Sequence, residues 1–380
     1  MIQQIIDIIT LEYRLIFRNR EIVLILLLAP LIYATLYSLG YSKEVLYDVP
    51  VAIIDHSHSH DSRVLTQNLN ASPYLTTAYS LTDIESAKRL LFERKIYAIV
   101  EIPEQFAAKH LDGHQNSIAL YCDASYFLMY RQVFQGVMSV LSTHTSTHIA
   151  THTLFNPSLG YGSFIMPAIL IVILQQTALM GIGIIGVSWR RRRLWQRYNP
   201  AVIVCAKTLT YSTLYIPLIC YLFGVHYHIF GYPQLGTLSS LLAILVPYCL
   251  SYILLGIALS TLFRRSETPL LTIIWTSIPV LLISGASLPT EAFPRPLYIV
   301  GKLLPSGSAV EGFIRAQSMG AEIDDLLPQI ATLWALVLLY GGLSLYLTTK
   351  RASGRTTKFR TPTPPTVAGR HTLLSKPSFL

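Results

Sequence analysis

The chain has little charge for its length. Asp, Glu, Lys and Arg make up 13% of its 380 residues, whereas hydrophobic residues make up 52%. Soluble domains carry charge on about a quarter of their residues. Several apolar runs reach about eighteen residues, the length at which a helix begins to span a bilayer. The scarcity of charge excludes a soluble globular protein and predicts a polytopic membrane protein.

Other absences narrow the function. Four cysteines are too few for a disulfide framework, and only Cys122 lies in a polar region. No G-x4-GK[ST] motif occurs, so the chain does not hold ATP by the P-loop route. No charged residue lies well inside an apolar run, which argues against an ion-driven carrier. A nucleophile-elbow motif is also missing, so nothing indicates a hydrolase.

The apolar runs predict an all-α membrane domain of six transmembrane helices. They lie at 22–40, 163–188, 206–230, 238–263, 269–284 and 330–349. The first run lacks a cleavage motif, and we interpret it as a retained anchor. Residues 1–21 form an amphipathic helix whose basic residues crowd its C-terminal half, which is typical of a helix lying in the membrane interface. A helix packed on a partner protein is the alternative.

The segment 41–161 differs in composition from the rest of the chain. Predicted strands lie at 49–55, 74–79, 96–102 and 117–122, and predicted helices at 61–70, 81–95 and 103–110, before a long helix at 126–153. This alternation predicts an inserted α/β domain. The remaining membrane region is 162–349, and a basic, disordered tail is expected at 350–380.

Basic residues predict the orientation. Counted over short connections, one side of the membrane has 18 Lys and Arg and the other has 3. The richer side faces the cytosol by the positive-inside rule. Both termini are therefore expected in the cytosol and the α/β domain outside, which in a Gram-negative cell means an inner-membrane protein with a periplasmic domain. The charge follows the membrane and forms no basic and aromatic face, so nucleic-acid binding is not expected.

Residues 284–329 combine helix breakers with apolar residues. Pro289, Pro294 and Pro305 alternate with Ile, Leu, Val and Phe. Irregular backbone at membrane depth survives only where protein or a water-filled cavity surrounds it. The stretch therefore predicts short re-entrant helices on the outer face.

This stretch also carries a family resemblance. SG-x3-P, a further Pro, LLP-x-G-x-A-V-x-G-F-x-R-A and MGA occur in that order, and together they resemble the C-terminal part of ABC-2-type exporter permeases. The segment VPVAIIDHSHSHDSRVL and the later IPEQF resemble the large extracytoplasmic domain between helices 1 and 2 of one branch of that family.

The resemblance implies a transport subunit rather than an enzyme. Two permease copies, or one copy and a paralogue, would line one pathway for export or efflux. A separate ABC ATPase subunit would bind ATP and Mg²⁺. The branch also works beside a periplasmic adaptor, with an outer-membrane channel as a further partner. The re-entrant stretch would form the outer gate. Its candidate residues are Ser284, Gly285, Pro289, Pro294, Pro305, Gly312, Arg315 and Gly320.

The arginine-rich loop 189–200 is the candidate ATPase-coupling element. Its candidate residues are Arg190, Arg191, Arg192, Arg193, Trp195, Arg197 and Tyr198. The alternative is an anchor that touches anionic lipid on the cytosolic side. The Glu-x-Gly-Thr signature found in this loop of many relatives is absent.

Two groups of histidines are weak candidates for metal ligands. His144, His148 and His152 recur every four residues, and imidazoles one helical turn apart can chelate a transition metal. A second group, H-x-H-x-H-D, follows the first predicted strand at residues 56–61. Polar surface is the simpler interpretation of both groups, so no metal or other cofactor is expected in this chain.

A function of a different class remains open. A non-transporting membrane protein could use its extracytoplasmic α/β domain to bind a ligand or a partner protein. Such a protein would need only one or two membrane helices, so the six apolar runs favour the permease.

Overall fold

A computed structural model describes residues 1–42, 47–104, 106, 118–122, 127–144, 160–286 and 292–353. The chain is mostly helical, with a small mixed sheet after the first membrane helix. The helices are α1 (Ile2–Arg18), α2 (Arg20–Gly40), α3 (His60–Ala71), α4 (Ile84–Phe92), α5 (Phe127–His144), α6 (Tyr161–Arg191), α7 (Pro200–Phe230), α8 (Leu238–Ser260), α9 (Glu267–Ile283), α10 (Arg295–Leu303), α11 (Pro305–Phe313) and α12 (Leu327–Ala352).

Among the described residues, five helices are long and apolar enough to cross a membrane, and these are α2, α6, α7, α8 and the helix that ends at Ala352. They coincide with five of the six predicted apolar segments. The remaining segment forms α9, an apolar helix of 17 residues. That length lies at the lower limit for a span, about 17 residues.

Helix α6 lies at the centre of the bundle, and 89% of its most apolar 18-residue stretch is buried. It packs against α2, α8, α9 and α11. Its glycines allow this close packing. A Cβ on Gly186 would lie 2.5 Å from the Ser260 Cβ, and a Cβ on Gly181 would lie 2.3 Å from Leu26. Small residues at such positions let helix backbones approach each other.

The polar segment after α2 contains a sheet whose described strands are β1 (Val49–Asp55), β2 (Leu75–Leu81), β3 (Ala98–Ile102) and β4 (Ala119–Cys122). Their order is β2-β1-β3-β4, with β1 parallel to both neighbours and β4 antiparallel to β3. One face packs against α3 and α5 through Leu65, Leu69 and Val133, and the other packs against α4.

The predicted elements of this segment agree with the structure in kind. The strand expected at 49–55 is confirmed as Val49–Asp55. The helix expected at 103–110 falls largely outside the described residues. Of the long helix expected at 126–153, the structure describes Phe127–His144.

The breaker-rich stretch forms two short helices, as predicted. Pro294 caps α10 and Pro305 is the first residue of α11, where a missing N–H costs nothing. The two helices cross closely, since a Cβ on Gly307 would lie 2.1 Å from the Gly301 carbonyl oxygen. A π-turn, Ile314–Ser318, follows α11 and leads toward α12.

Candidate functional site

Helix α1 buries one of its faces against α7. Ile8, Glu12 and Ile16 are each 0% exposed, and α1 packs mainly on α7. Ile2 and Phe17 remain exposed, at 74% and 58%. The helix is therefore docked on the bundle by a stripe that contains a carboxylate, while a second apolar stripe stays free to face lipid.

The buried carboxylate is paired. The Lys207 ammonium, also 0% exposed, donates a hydrogen bond to Glu12 Oε1. The Tyr211 hydroxyl donates to Glu12 Oε2 over 2.9 Å. Both Lys207 and Tyr211 lie on α7, so three side chains join α1 to α7 without a charge left unpaired. Burying an ion pair costs desolvation, which such additional hydrogen bonds offset.

Two tryptophans cover the ammonium. Lys207 Nζ lies 4.2 Å from the ring centroid of Trp189 and 5.3 Å from that of Trp195. The two indoles touch each other, with centroids 5.1 Å apart. A cation over an aromatic face is attracted by the ring quadrupole. Trp189 lies in the last turn of α6 and Trp195 in the 3-10 turn that follows the helix. The cluster therefore joins α1, α6, α7 and the arginine-rich loop through Glu12, Lys207, Trp189 and Trp195.

The arginine-rich loop reverses the chain between α6 and α7. Arg193 adopts a left-handed conformation (φ 51°), and a short 3-10 turn, Leu194–Gln196, follows it. Asn199 then caps α7 by accepting a hydrogen bond from the Ala201 N–H over 3.0 Å. This geometry exposes the arginines and buries Trp195.

The predicted coupling residues therefore separate into two groups. Arg191, Arg192, Arg193 and Arg197 are exposed, whereas Arg190 is half-buried and donates to the Thr261 carbonyl over 2.6 Å. Trp195 is 2% exposed, so it supports the loop from beneath. Arg197 lies over the half-buried ring of Tyr198, 5.8 Å from its centroid.

The predicted gate residues shape the backbone at the other end of the bundle. Ser284 ends α9, and Gly285 follows with φ 85°. Gly320 takes φ 71° at the end of the π-turn. At Gly312, a Cβ would lie 2.7 Å from Ile244 of α8. The Arg315 carbonyl accepts the Ala321 N–H over 2.9 Å.

Pro294 and Pro305 start the two short helices, as described above. Pro289 lies outside the described residues. These placements give the predicted gate residues a structural setting, and none of them tests a role in transport.

Residues that the sequence did not single out hold the short helices in place. Gln175, in α6 and 1% exposed, accepts the Ser306 N–H over 2.9 Å at the first turn of α11. Tyr340 of α12 donates to the Leu303 carbonyl. The first N–H groups of a helix have no hydrogen-bond partner within the helix. Gln175 supplies an acceptor for one of them, the Ser306 N–H, from the centre of the bundle.

A second polar group lies beside these bonds. Glu311 of α11 accepts from Lys302 over 2.9 Å and from the Gln329 amide over 2.6 Å. Lys302 also lies 5.6 Å from the ring centroid of Tyr298. Because α10, α11 and α12 each contribute a side chain, this group fixes the short helices to one another and to α12.

An apolar cavity opens between α2, α6 and α9. Its volume is about 380 Å³. It is lined by Tyr33, Tyr37, Ile169, Val172, Ile173, Gln176, Thr177, Met180, Ile274, Ser277, Ile278 and Leu281. The Gln176 Nε2 atom is buried and has no hydrogen-bond partner among the described residues. Such a site, largely apolar with few polar groups, is typical of a pocket for small amphipathic molecules.

The histidine groups show no metal site in the described residues. His56 Nε2 lies 3.1 Å from Glu101 Oε1, and Glu101 Oε2 accepts from the Tyr121 hydroxyl, which raises the pKa of Tyr121. His58 instead lines an open cavity of about 340 Å³ with Asp55 and Arg63. No cluster of three or more ligand-type side chains occurs in the described part of the chain.

The other candidate group cannot be placed. His148 and His152, together with the side chain of His144, lie outside what the structure describes.

Comparison with known proteins identifies the family of the chain. The model of a family described as "ABC-2 family transporter protein" matches residues 20–346. The chain belongs to the ABC-2 transporter family. The match extends from the first residue of α2 into α12, and it confirms the resemblance expected from the sequence.

Two curated relatives support the assignment. They are the "Probable multidrug ABC transporter permease YbhR" proteins of Escherichia coli strain K12 and of Escherichia coli O157:H7. Each is 20% identical to this ABC-2 family chain over 307 residues, covering 74% of this chain and 81% of the relative. Membership makes the chain a multi-pass membrane permease, and the family implies an ABC ATPase partner.

The sequence missed the residues that join elements to one another. Glu12 was recognisable in principle, because it falls four residues from both Ile8 and Ile16 and so shares their helical face. Gln175 and Glu311 carried no such signal. Their partners Ser306 and Gln329 lie far along the chain, and only the fold brings them together.

Proposed function

We propose that this chain is the transmembrane subunit of an ATP-driven exporter in the inner membrane. It works as a dimer, draws its energy from a separate ATPase subunit that carries ATP and Mg²⁺, and exports amphipathic small molecules beside a periplasmic adaptor. Membership of the ABC-2 family supports a transporter permease. The observation that carries the export proposal is the cavity between α2, α6 and α9.

The cavity has the character of a cargo site within the membrane. Its volume of about 380 Å³ falls within the range of small-molecule pockets, about 300 to 1,000 Å³. Tyr33, Gln176 and Ser277 add hydrogen-bonding groups to an otherwise apolar wall. Since Gln176 Nε2 has no partner among the described residues, it is available to a hydrogen-bond acceptor on cargo.

The cavity is open on one side, which a second copy would close. The helices at its edge expose large apolar side chains: Leu36 of α2 is 61% exposed, and Trp275 and Ile278 of α9 are 80% and 69% exposed. Cyclic dimers meet through the same patch on both copies. A dimer formed through α2 and α9 would turn two open cavities into one enclosed pathway.

Movement would enter the bundle through the arginine end. The Glu12–Lys207 pair links α1 to α7, and the two tryptophans link this pair to the end of α6. Arg191, Arg192 and Arg197 are exposed beside it and available to acidic groups of an ATPase. Closure of the ATPase would move α1 and the loop together, and α6 would transmit the movement to the gate helices through Gln175.

Filling the cavity tests the export function. Inverted membrane vesicles that contain the chain and its ATPase receive a fluorescent amphipathic dye and ATP in the external medium, and export is measured as dye uptake into the vesicles. Ile278→Trp is expected to abolish ATP-dependent dye transport while the ATPase still co-purifies. Leu338→Trp, on an exposed part of α12, is the matched control and is expected to transport normally. Normal transport by Ile278→Trp would refute the cavity as the pathway.

Cross-linking tests the dimer. In a background without native cysteines, Trp275→Cys is expected to form a disulfide-linked dimer in membranes under mild oxidation. Leu338→Cys is equally exposed, at 77% against 80% for Trp275, and lies near the centre of its own helix. It is expected to stay monomeric. Equal cross-linking at both positions would contradict an interface through α9.

Labelling tests the orientation. Phe92 of the sheet region is 90% exposed, and Ala201 is exposed at the start of α7. An impermeant thiol reagent added to spheroplasts is expected to label Phe92→Cys and to spare Ala201→Cys until the membrane is permeabilised. The reverse pattern would invert the proposed topology.

A second candidate function is ligand binding by the extracytoplasmic region. It is favoured by the cavity of about 340 Å³ lined by Asp55, His58 and Arg63 at the end of β1. The dye assay and a ligand-binding assay together separate the two functions. A non-transporting ligand-binding protein would show no ATP-dependent dye transport, and its ligand binding would be lost in Arg63→Ala and kept in Ile278→Trp. An exporter shows dye transport that is kept in Arg63→Ala and lost in Ile278→Trp.

A further inference from the structure

A small cavity lies at the arginine end of the bundle, apart from the Glu12–Lys207 pair. Its volume is about 110 Å³. It is lined by Arg190, Arg193, Trp195, Gln196 and Arg351. Arg190 lies in the last turn of α6 and Arg351 in the last turn of α12, so the cavity lies where the ends of two membrane helices and the arginine-rich loop meet.

In the described part of the chain, no carboxylate balances the positive charge around this cavity. No described carboxylate lines it, and no ion pair of the described residues involves Arg190, Arg193 or Arg351. The charge of Arg264, in the connection after α8, also acts on Arg190 and Arg351. Like charges this close repel one another, and partial burial weakens the screening by water. An anion in the cavity would turn this repulsion into attraction.

Two of the lining residues also carry buried donors that have no acceptor among the described residues. The Trp195 side chain is 2% exposed, and its Nε1 atom has no hydrogen-bond partner among the described residues. Arg190 Nε is likewise buried without a described partner, although its Nη2 atom donates to the Thr261 carbonyl over 2.6 Å. Indole and guanidinium N–H groups only donate. The missing partner is therefore an acceptor, as an anion would be.

We propose that this cavity binds one phosphate group, either the headgroup phosphate of an anionic lipid or a free phosphate ion. The volume equals that of about three to four water molecules, which suits a single tetrahedral oxyanion. It is well below the roughly 300 Å³ at which pockets for larger ligands begin. The planar forks of several arginines match phosphate oxygens bidentately.

The bound phosphate would have a structural consequence. It would bridge Arg193 of the loop to Arg351 of α12 and so fix the loop against the bundle. Trp195 lines the cavity, and its ring centroid lies 5.3 Å from Lys207 Nζ. Occupancy would therefore hold the indole that covers the buried ion pair, and would couple the anion to the position of α1.

The experiment compares two double variants of the full-length chain. Arg193→Gln with Arg351→Gln removes two arginines from the cavity wall but keeps the Arg190 bonds to Thr261 and Leu262. Arg192→Gln with Arg265→Gln removes the same charge from exposed positions that do not line the cavity. Circular dichroism and size exclusion in detergent check that both variants fold.

Two probes distinguish the sources of the phosphate. The first is phosphatidylglycerol in phosphatidylcholine nanodiscs, with retained lipid counted by native mass spectrometry. The second is inorganic phosphate, with its affinity measured by calorimetry on delipidated protein. The cavity variant is expected to bind at least one probe about tenfold more weakly than wild type, as loss of charge-assisted hydrogen bonds requires. The control variant is expected to bind within about twofold of wild type, because surface charge contributes little.

Each outcome of the binding experiments leads to a different conclusion. Loss confined to phosphatidylglycerol assigns the site to a lipid headgroup, and loss confined to phosphate assigns it to the free ion. Equal binding by the two double variants overturns the site, as does wild-type protein that binds neither probe. If the cavity variant keeps both probes but loses the ATPase, the arginines serve protein docking and the proposal is wrong.

Discussion

The arginine end and the middle of the central helix α6 are held by different chemistry. At the arginine end, the buried Glu12–Lys207 pair sits beneath Trp189, which belongs to α6 itself. At the middle of α6, Gln175 holds the start of α11 through a neutral hydrogen bond, and α10 and α11 cross at two glycines. The arginine end depends on paired charge, whereas the region of the short helices α10 and α11 depends on close backbone packing and neutral polar bonds.

Aromatic packing reinforces the region of the short helices. Phe313 of α11 contacts Phe223 and Tyr227 of α7, with ring centroids 4.5 and 6.0 Å apart. His226 is 1% exposed and hydrogen-bonds Ser38 of α2 over 3.2 Å. Many small contacts together stabilise this region. The difference predicts that the arginine end loses stability abruptly when one partner is lost, whereas the region of the short helices weakens in steps.

The largest effect is expected at the buried pair. Glu12→Ala or Lys207→Ala leaves one charge buried and unpaired, which costs about 3–5 kcal/mol of stability. The triple variant Glu12→Leu, Lys207→Met, Tyr211→Phe removes the charges and the hydroxyl together, and most of the loss is expected to be recovered. The free energy of unfolding in mixed micelles is measured for the single variants and for the triple variant.

The exposed Glu85–Lys88 pair is the control, since loss of Glu85 should change stability little. If the triple variant is as unstable as the single variants, the cost lies in packing rather than in the unpaired charge.

The next effect is expected where α10 crosses α11. Gly307→Ala would place a Cβ 2.1 Å from the Gly301 carbonyl oxygen, and such overpacking costs about 1–3 kcal/mol. Gly342→Ala is the matched control, because α12 has open space there. Alanine favours a helix over glycine by about 1 kcal/mol, so Gly342→Ala should be neutral or stabilising. Thermal unfolding at the same temperature for the two variants would show that α10 and α11 can move apart at their crossing without loss of stability.

Substitution of two neighbouring glutamines, Gln175 and Gln176, tests the same comparison more closely. Gln175→Leu removes the acceptor of the Ser306 N–H and is expected to cost about 1–3 kcal/mol, as a buried donor without a partner does. Gln176→Leu removes an amide whose Nε2 atom has no described partner. It should leave stability nearly unchanged and alter dye transport. Unfolding and transport are measured on both, and an equal loss of stability would contradict the division between a structural and a cargo-facing glutamine.

The smallest structural effect concerns Cys122 in β4. Burial raises the pKa of its thiol to about 11, so less thiolate is present at any given pH than in an exposed cysteine. Because the thiolate is the reactive form, maleimide labelling should be slow near neutral pH and rise about tenfold per pH unit up to that pKa. Phe92→Cys provides the exposed reference. A labelling rate that matches this reference would place the thiol in solvent.

The sequence predicted the regular elements well because their signals are local. Val49–Asp55 is a run of β-branched and apolar residues after a turn, and it forms a strand as expected. The mixture of helix breakers and apolar residues at 284–329 also predicted the pair of short helices. Prolines at their starts, Pro294 and Pro305, fix the backbone angle without help from distant residues.

The candidate site was predicted only in part, because it depends on pairs of residues that lie far apart in the sequence. The arginine-rich loop was recognised, yet the sequence did not distinguish the exposed Arg192 from the buried Trp195. Lys207 was expected at the edge of a membrane helix, and its full burial was not foreseen. Charge alone does not say whether a lysine faces water or a carboxylate 195 residues away.

The sequence by itself determined that the chain is a polytopic ABC-2 family permease with an arginine-rich loop opposite a breaker-rich stretch. Hydrophobic length, charge bias and backbone-restricting residues act locally, so their order along the chain suffices. Tertiary structure alone decided which polar groups are paired. The fold pairs Glu12 with Lys207, places Gln175 where it accepts a hydrogen bond from the start of α11, and brings Arg193 and Arg351 to one cavity. Those assignments depend on helix packing, because a buried polar group is stable only beside a partner that the fold brings to it.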